Sequence, residues 1–230
     1  MATQSVASRS RRPADADDVV VGRALEVADW ARKNARAIVI AVVALFVLVG
    51  GLLFLRILRA QNLERAATAY LQLQQQVAVN PQGATQALSA FVQAHDGTPY
   101  ADEARLHLAA QHLQAGQPRQ AIPVLQPLAA ELGDSPLAGQ AGLLLATAQS
   151  AAGDRNAALQ TYLRVADQAE LGFQKQEALA NAALLREEAN DFAGAAELYA
   201  RLAEEAPEGS LERSVFEMRR AEAAARAAAR

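Results

Sequence analysis

Two hydrophobic patterns divide the chain. The first is continuous: Ala37 to Leu55, AIVIAVVALFVLVGGLLFL, runs 19 residues without a charge or a strongly polar side chain. As a helix at about 1.5 Å per residue it reaches roughly 28 Å, close to the ~30 Å hydrocarbon core of a bilayer. A helix satisfies its own backbone hydrogen bonds, as lipid demands. Arg32, Lys33 and Arg36 stop the run on one side, Arg56 and Arg59 on the other, and Trp30 falls at interfacial depth. The pattern predicts a transmembrane anchor over residues 37–58. The apolar core of a signal peptide is shorter, about 7–15 residues behind a brief basic stretch. Here 36 residues precede the run, and Leu58-Arg59-Ala60 lacks a small-x-small cleavage pattern. The reading is therefore an uncleaved anchor.

The second pattern is periodic. After Arg59 apolar residues recur every three or four positions to the end of the chain. Leu63, Ala67, Tyr70, Leu71 and Leu73 predict a helix that stops near Asn80-Pro81, and no breaker separates it from the anchor. A repeat then emerges. Ala87, Ala121, Ala158 and Ala195 are spaced 34, 37 and 37 residues apart, and four residues after each come Phe91, Leu125, Tyr162 and Tyr199. Five residues before the last three alanines lie Gly116, Gly153 and Asn190, which tolerate a left-handed turn between helices. Seven residues before each turn is another alanine: Ala109, Ala146 and Ala183. Pro99 and Pro207 stand where a second helix should stop, and the 37-residue spacing predicts loops at Gly133-Asp134-Ser135-Pro136 and Leu171-Gly172-Phe173.

Ahead of the anchor, residues 1–14 are polar and basic without a period, and a disordered tail is predicted over residues 1–18. Asp15, Asp17 and Asp18 are a helix-start signal for a juxtamembrane helix over 19–36. At the other end, residues 210–230 predict a capping helix in which Leu211, Val215, Phe216 and Met218 form a contact face. Its last stretch, AEAAARAAAR, has little to pack.

This set resembles the tetratricopeptide (TPR) consensus: a small residue in helix A, a turn glycine, a small residue in helix B, an aromatic four later and a terminal proline. The matching stretches are DEARLHLAAQHLQAGQPRQAIPVLQPL, AGLLLATAQSAAGDRNAALQTYLRVA and EALANAALLREEANDFAGAAELYARLAEEAP. The resemblance spans residues 59–209, is good for the last three repeats and degenerate for the first, and departs in lacking the early tryptophan of helix A. It implies an all-α fold: one transmembrane helix, a TPR-like α-solenoid of three to four helix pairs, and the cap.

Composition narrows the chemistry. The chain of 230 residues carries a net charge of −3, but residues 60–230 hold thirteen basic and twenty acidic groups. An acidic domain argues against nucleic-acid binding, which needs phosphate-neutralising surface. The sequence has no cysteine, which excludes disulfides, thiolate catalysis and cysteine-ligated metals. His107 and His112 are five apart, the wrong spacing for a zinc pair on one helix face, and His95 stands alone. Glu187-Glu188 and Glu204-Glu205 are neighbours that point apart on a helix. No catalytic, metal or cofactor site is expected.

Binding is the better prospect. In TPR arrays helix A lines the ligand-binding surface. The resemblance carries that role to Glu103, Leu106, Ala110, Leu113 and Gln114. In the next repeat it falls on Gln140, Leu143, Thr147, Ser150 and Ala151, and in the last on Glu177, Ala180, Leu184, Glu187 and Glu188. That face is mixed apolar and acidic, without the Lys, Arg and Asn with which clamp-type TPRs hold acidic tails. Extended segments with apolar and basic side chains suit it.

The layout of tail, single span and TPR-like array resembles the bacterial family typified by the ancillary subunit of the SecYEG translocon (the YfgM-like proteins). That resemblance implies an inner-membrane protein with a cytoplasmic N-terminus and a periplasmic array. It further implies an adaptor or chaperone whose partners are the translocon, periplasmic folding factors or nascent secreted chains. The flanking charges, four basic residues on the N-side (Arg23, Arg32, Lys33, Arg36) against three on the C-side (Arg56, Arg59, Arg65), lean the same way. The alternatives are a homo-oligomeric scaffold for envelope assembly or division, or a TPR scaffold facing the cytoplasm.

Overall fold

A computed structural model describes Trp30 and residues 32–229, and there every regular element is helical, with no strand. Helix α1 covers Ala35–Val79. After a short 3-10 turn, Pro81–Gly83, come α2 (Ala84–Ala94), α3 (Pro99–Gln114), α4 (Pro118–Ala129), α5 (Pro136–Ala151) and α6 (Arg155–Gln168). Helices α7 (Gly172–Glu188), α8 (Phe192–Glu205) and α9 (Leu211–Ala228) complete the chain. The expected tail, 1–18, and most of the stretch 19–36 lie outside the described residues. Two units are distinguished, Met1–Ala60 and Gln61–Arg230, with the boundary inside α1.

The described part of the first unit is the apolar run. Its best 18-residue window has a mean hydropathy of 3.2 and none of it is buried by protein. Val39, Phe46, Val47 and Phe54 all stand open. Among the described residues α1 is the one helix long and apolar enough to cross a membrane, judged by length and composition.

In the second unit consecutive helices pack as pairs: α3 with α4, α5 with α6 and α7 with α8, and α9 lies on α8. The reason for the pairing is local and repeats three times. Helix α3 ends with Gly116 at φ +69°, α5 with Gly153 at +90° and α7 with Asn190 at +62°. At each end two backbone bonds close the same left-handed turn. Gly116 N–H donates to Leu113 O (3.0 Å) and Gln117 N–H to His112 O (2.8 Å). Gly153 and Asp154 repeat this on Ser150 O and Gln149 O (3.0 and 2.8 Å), as do Asn190 and Asp191 on Glu187 O and Arg186 O (2.9 and 2.8 Å). This Schellman arrangement absorbs the orphan carbonyls of the first helix and aims the second back along it.

Small residues let the paired backbones approach. Ala109, Ala121, Ala146, Ala158, Ala183 and Ala195 have no exposed surface, and Leu125, Tyr162 and Tyr199 are buried four residues after the second-helix alanines. The first pair differs. Its link is Asn80 with the 3-10 turn, not a left-handed glycine, and Ala87 stays half-buried. Its core is an aromatic cluster instead: Tyr70 lies 5.6 Å from Phe91 and 5.7 Å from Tyr100, ring centre to ring centre.

Three expectations about the joints are corrected. Pro99 opens α3, where Thr98 Oγ1 accepts from Ala101 N–H (3.2 Å), a position in which a missing N–H costs nothing. Gly172 and Phe173 are not loop but the first turn of α7. Of the four residues expected to seat α9, only Phe216 packs on the core, beside buried Ala223; Leu211, Val215 and Met218 face outward.

Candidate functional site

Helices α3, α5 and α7 are the first members of the three clear pairs, and they carry the fifteen residues expected to bind. The structure brings four of these together. Glu103, Leu106 and Ala110 on α3 and Gln140 on α5 line one depression of about 380 Å³, with His107, Leu137 and Leu144 completing the wall. Leucines from both helices make it apolar, and Glu103, His107 and Gln140 give it polar groups.

The last three lining residues went unassigned in the sequence, though the signal was present. His107 is one turn beyond Glu103, and Leu137 and Leu144 flank Gln140 by three and four residues. These are the offsets that share a helix face. His112 does not join them; its Nδ1 lies 3.3 Å from Gln117 Oε1. His95 instead stacks against Phe91, 4.5 Å between ring centres.

The other eleven expected residues lie outside that depression. Leu143 is core, packed with Tyr162 and Val165; Ala180 is half-buried against that cluster, and Leu113 against the neighbouring one around Leu106 and Leu125. Gln114, Ala151 and Glu188 are exposed, and Glu188 pairs loosely with Arg155 (3.7 Å). Ser150 is half-buried. Leu184 remains 46% exposed on α7, an open apolar position beside acidic neighbours.

Three of the acids stand beside tyrosines. Burial raises the Tyr70 phenol above its ordinary value, and the charge of Glu103 adds to the effect. Tyr162 is likewise raised by burial first and then by the charge of Glu177, against a hydrogen bond to Thr147. Its hydroxyl lies 3.0 Å from Thr147 Oγ1, and Thr147 gives its own proton to Leu143 O (2.9 Å). The phenol is therefore the donor. Tyr199 is raised by burial and then by Glu187, with Arg219 opposing. Tyr162 and Tyr199 thus reach from the second helices to the first-helix side, where Glu177 and Glu187 stand near their hydroxyls. The phenols stay protonated near neutral pH.

No curated protein matches the chain. Among solved structures, it resembles a Podospora anserina crystal structure of nearly identical TPR-like repeats, named for a kinesin light chain. The TM-score is 0.53 at 18% identity, covering 72% of this chain and 88% of that one. At that identity the likeness is one of fold. The model of the tetratricopeptide repeat-like domain matches residues 28–175, from just before the apolar run to the start of α7. The helix-pair repeat, its left-handed turns and this match agree: the chain belongs to the tetratricopeptide repeat-like domain family.

Proposed function

We propose that this protein is a membrane-anchored interaction module that holds an extended protein segment carrying apolar and basic side chains. The carrying observation is the depression between α3 and α5, apolar through Leu106, Leu137 and Leu144 and acidic through Glu103. Glu177, Glu187 and exposed Leu184 repeat the same chemistry on α7. An apolar side chain of the ligand enters the depression, and its lysines or arginines meet the carboxylates. No catalytic role is assigned.

The apolar run serves as the anchor, with the N-terminus cytoplasmic and the array periplasmic at a bacterial inner membrane. Two things support that layout. The run is long enough to span and entirely uncovered by protein. The family match begins at residue 28 and so takes in the run together with the repeats. By resemblance to the ancillary translocon subunit, the segments held are those of the translocon, of folding factors or of newly exported chains.

The test uses the full chain in lipid nanodiscs and fluorescent peptides of alternating leucine and lysine. Binding should weaken at least ~5-fold with Leu144→Asp and with Glu103→Lys, and a leucine–glutamate peptide should bind worse than the basic one. Equal affinity for both peptides, or indifference to both substitutions, would overturn the reading. Topology is checked separately with single cysteines at Ser5 and at exposed Ala193. Labelling of intact cells by an impermeant reagent is expected at position 193 only; labelling at position 5 only would put the array in the cytoplasm.

A further inference from the structure

A second cavity, of about 520 Å³, is formed by α4, α5 and α6. Gln126 of α4, Gln149 of α5, and Gln160, Thr161 and Arg164 of α6 line it, and no aspartate or glutamate does. It shares no residue with the depression between α3 and α5. On α5, Gln149 lies about two and a half turns beyond Gln140, so the two side chains leave opposite sides of that helix.

The repeat itself marks this cavity as unusual. Three residues after Ala121 and Ala195 stand Val124 and Leu198, but three after Ala158 stands Thr161. Thr161 is only 7% exposed. A buried hydroxyl needs a partner, and Thr161 Oγ1 donates to Gln149 Oε1 (2.8 Å). The backbone of Gln149 is already fixed, because its carbonyl accepts from Asp154 N–H in the left-handed turn (2.8 Å). Gln149 is thus held at both ends with its amide oxygen engaged, and what it offers the cavity is amide N–H.

Arg164 lies one turn beyond Thr161, is exposed, and has no ion pair or hydrogen bond among the described residues. Asp167, the acid one turn further on, is engaged by Arg201 (2.9 Å). Gln126 and Gln160 stand on the two walls, each with an amide donor and an acceptor and no protein partner among the described residues. The cavity therefore presents one cation and a positioned donor, without an opposing carboxylate, in a region where acids outnumber bases twenty to thirteen.

We infer that this cavity is a separate binding site, for a carboxylate borne by an extended peptide. The Arg164 guanidinium pairs with the carboxylate, and the Gln149 amide donates beside it. Gln126 and Gln160 match the alternating N–H and C=O of a peptide backbone, which a free anion lacks. Thr161 is a positioning residue that acts through Gln149. The ligand is opposite in charge to the one assigned to the α3–α5 depression, so this site stands or falls independently of that reading.

The experiment uses the full chain in nanodiscs of zwitterionic lipid and three fluorescent peptides. The first alternates serine and aspartate with an amidated C-terminus. The second replaces its aspartates by asparagine. The third is the asparagine peptide with a free C-terminal carboxylate. At least one carboxylate-bearing peptide should bind ~10-fold or more tighter than the amidated asparagine peptide. Tighter binding of the first assigns the carboxylate to a side chain, and of the third to a chain end. Arg164→Gln should abolish the preference. Thr161→Val, which installs the aliphatic residue of the preceding pair, should weaken binding at least ~3-fold, whereas Thr161→Ser, which keeps the hydroxyl, should not. Three equal affinities, no binding, or a preference that survives Arg164→Gln would overturn the site; indifference to Thr161→Val would overturn the role of the positioned amide. Arg164 is exposed, so circular dichroism should be unchanged by its replacement.

Discussion

Helices α8 and α9 are neighbours, similar in length and both amphipathic, yet they spend their apolar residues in opposite ways. Helix α8 buries Ala195, Leu198, Tyr199 and Leu202, each 5% exposed or less. Helix α9 buries Ala223 alone and leaves its three largest aliphatic side chains in solvent. The difference is one of position. Helix α8 has α7 on one side and α9 on the other, while nothing within the described chain follows α9. An apolar stripe therefore reports burial only where the array supplies a second neighbour. At the end of an array the same stripe reports a surface.

Truncating one apolar residue in each helix should separate the two most strongly. Leu202→Ala should cost about 2–5 kcal/mol in urea unfolding, because Leu202 is fully enclosed and its cavity cannot collapse. Met218→Ala should shift the same curve by no more than ~0.5 kcal/mol. Equal losses would mean that α9 is as deeply embedded as α8.

A second substitution asks how tight the interior crossings are. A Cβ on Gly142 of α5 would stand 2.5 Å from Val165 Cγ2. Val165 is fully buried and stiff at χ1, so it cannot swing aside. Gly142→Ala should be destabilising by about 1–2 kcal/mol, even though alanine is the better helix former by roughly 1 kcal/mol. A stabilised variant would show slack at the α5–α6 crossing.

The smallest effect is alkaline. The raised Tyr199 phenol stays protonated in the folded protein at pH values where the unfolded chain, near the ordinary 10.0, has already begun to ionise. Its contribution is whole below pH 10 and is lost as pH rises through the folded value. The melting temperature should fall above pH 10, and Tyr199→Phe should flatten that fall. Replacing the uncharged Leu211 or Met218 of α9 by alanine should leave the slope alone, whereas Arg219, whose charge opposes the rise of that phenol, should affect it when replaced.

The repeat was legible in the sequence because its determinants are local. A left-handed Gly or Asn, a small residue five later and a large one four beyond that fix the turn, the crossing and the wedge that fills it. Ala158 and Tyr162 could be read from spacing alone. The joints between pairs were less so. A glycine in a loop-like triplet, Leu171-Gly172-Phe173, proved helical because the longer period lengthens α6 and α7 rather than their connection. The candidate binding face could be read only by carrying a pattern over, which placed Leu143 on the surface. In the structure it packs under Tyr162, since a residue on the edge of a helix face is claimed by whichever neighbour lies closer. The split of α9 into an inward Phe216 and an outward Leu211, Val215 and Met218 was beyond reach for a related reason. Both stripes have helical period, and only the location of the neighbouring helix tells which is covered.

The three Schellman turns carry one more consequence. Because each fixes the hairpin angle with backbone atoms at almost the same distances, the number of hairpins is not dictated by the side chains of any one of them. Duplication or loss of a segment such as 136–171 would join existing ends to existing beginnings and leave the turn geometry untouched. Reach, rather than chemistry, is then the property that such a gene can change in a single step, lengthening or shortening the array.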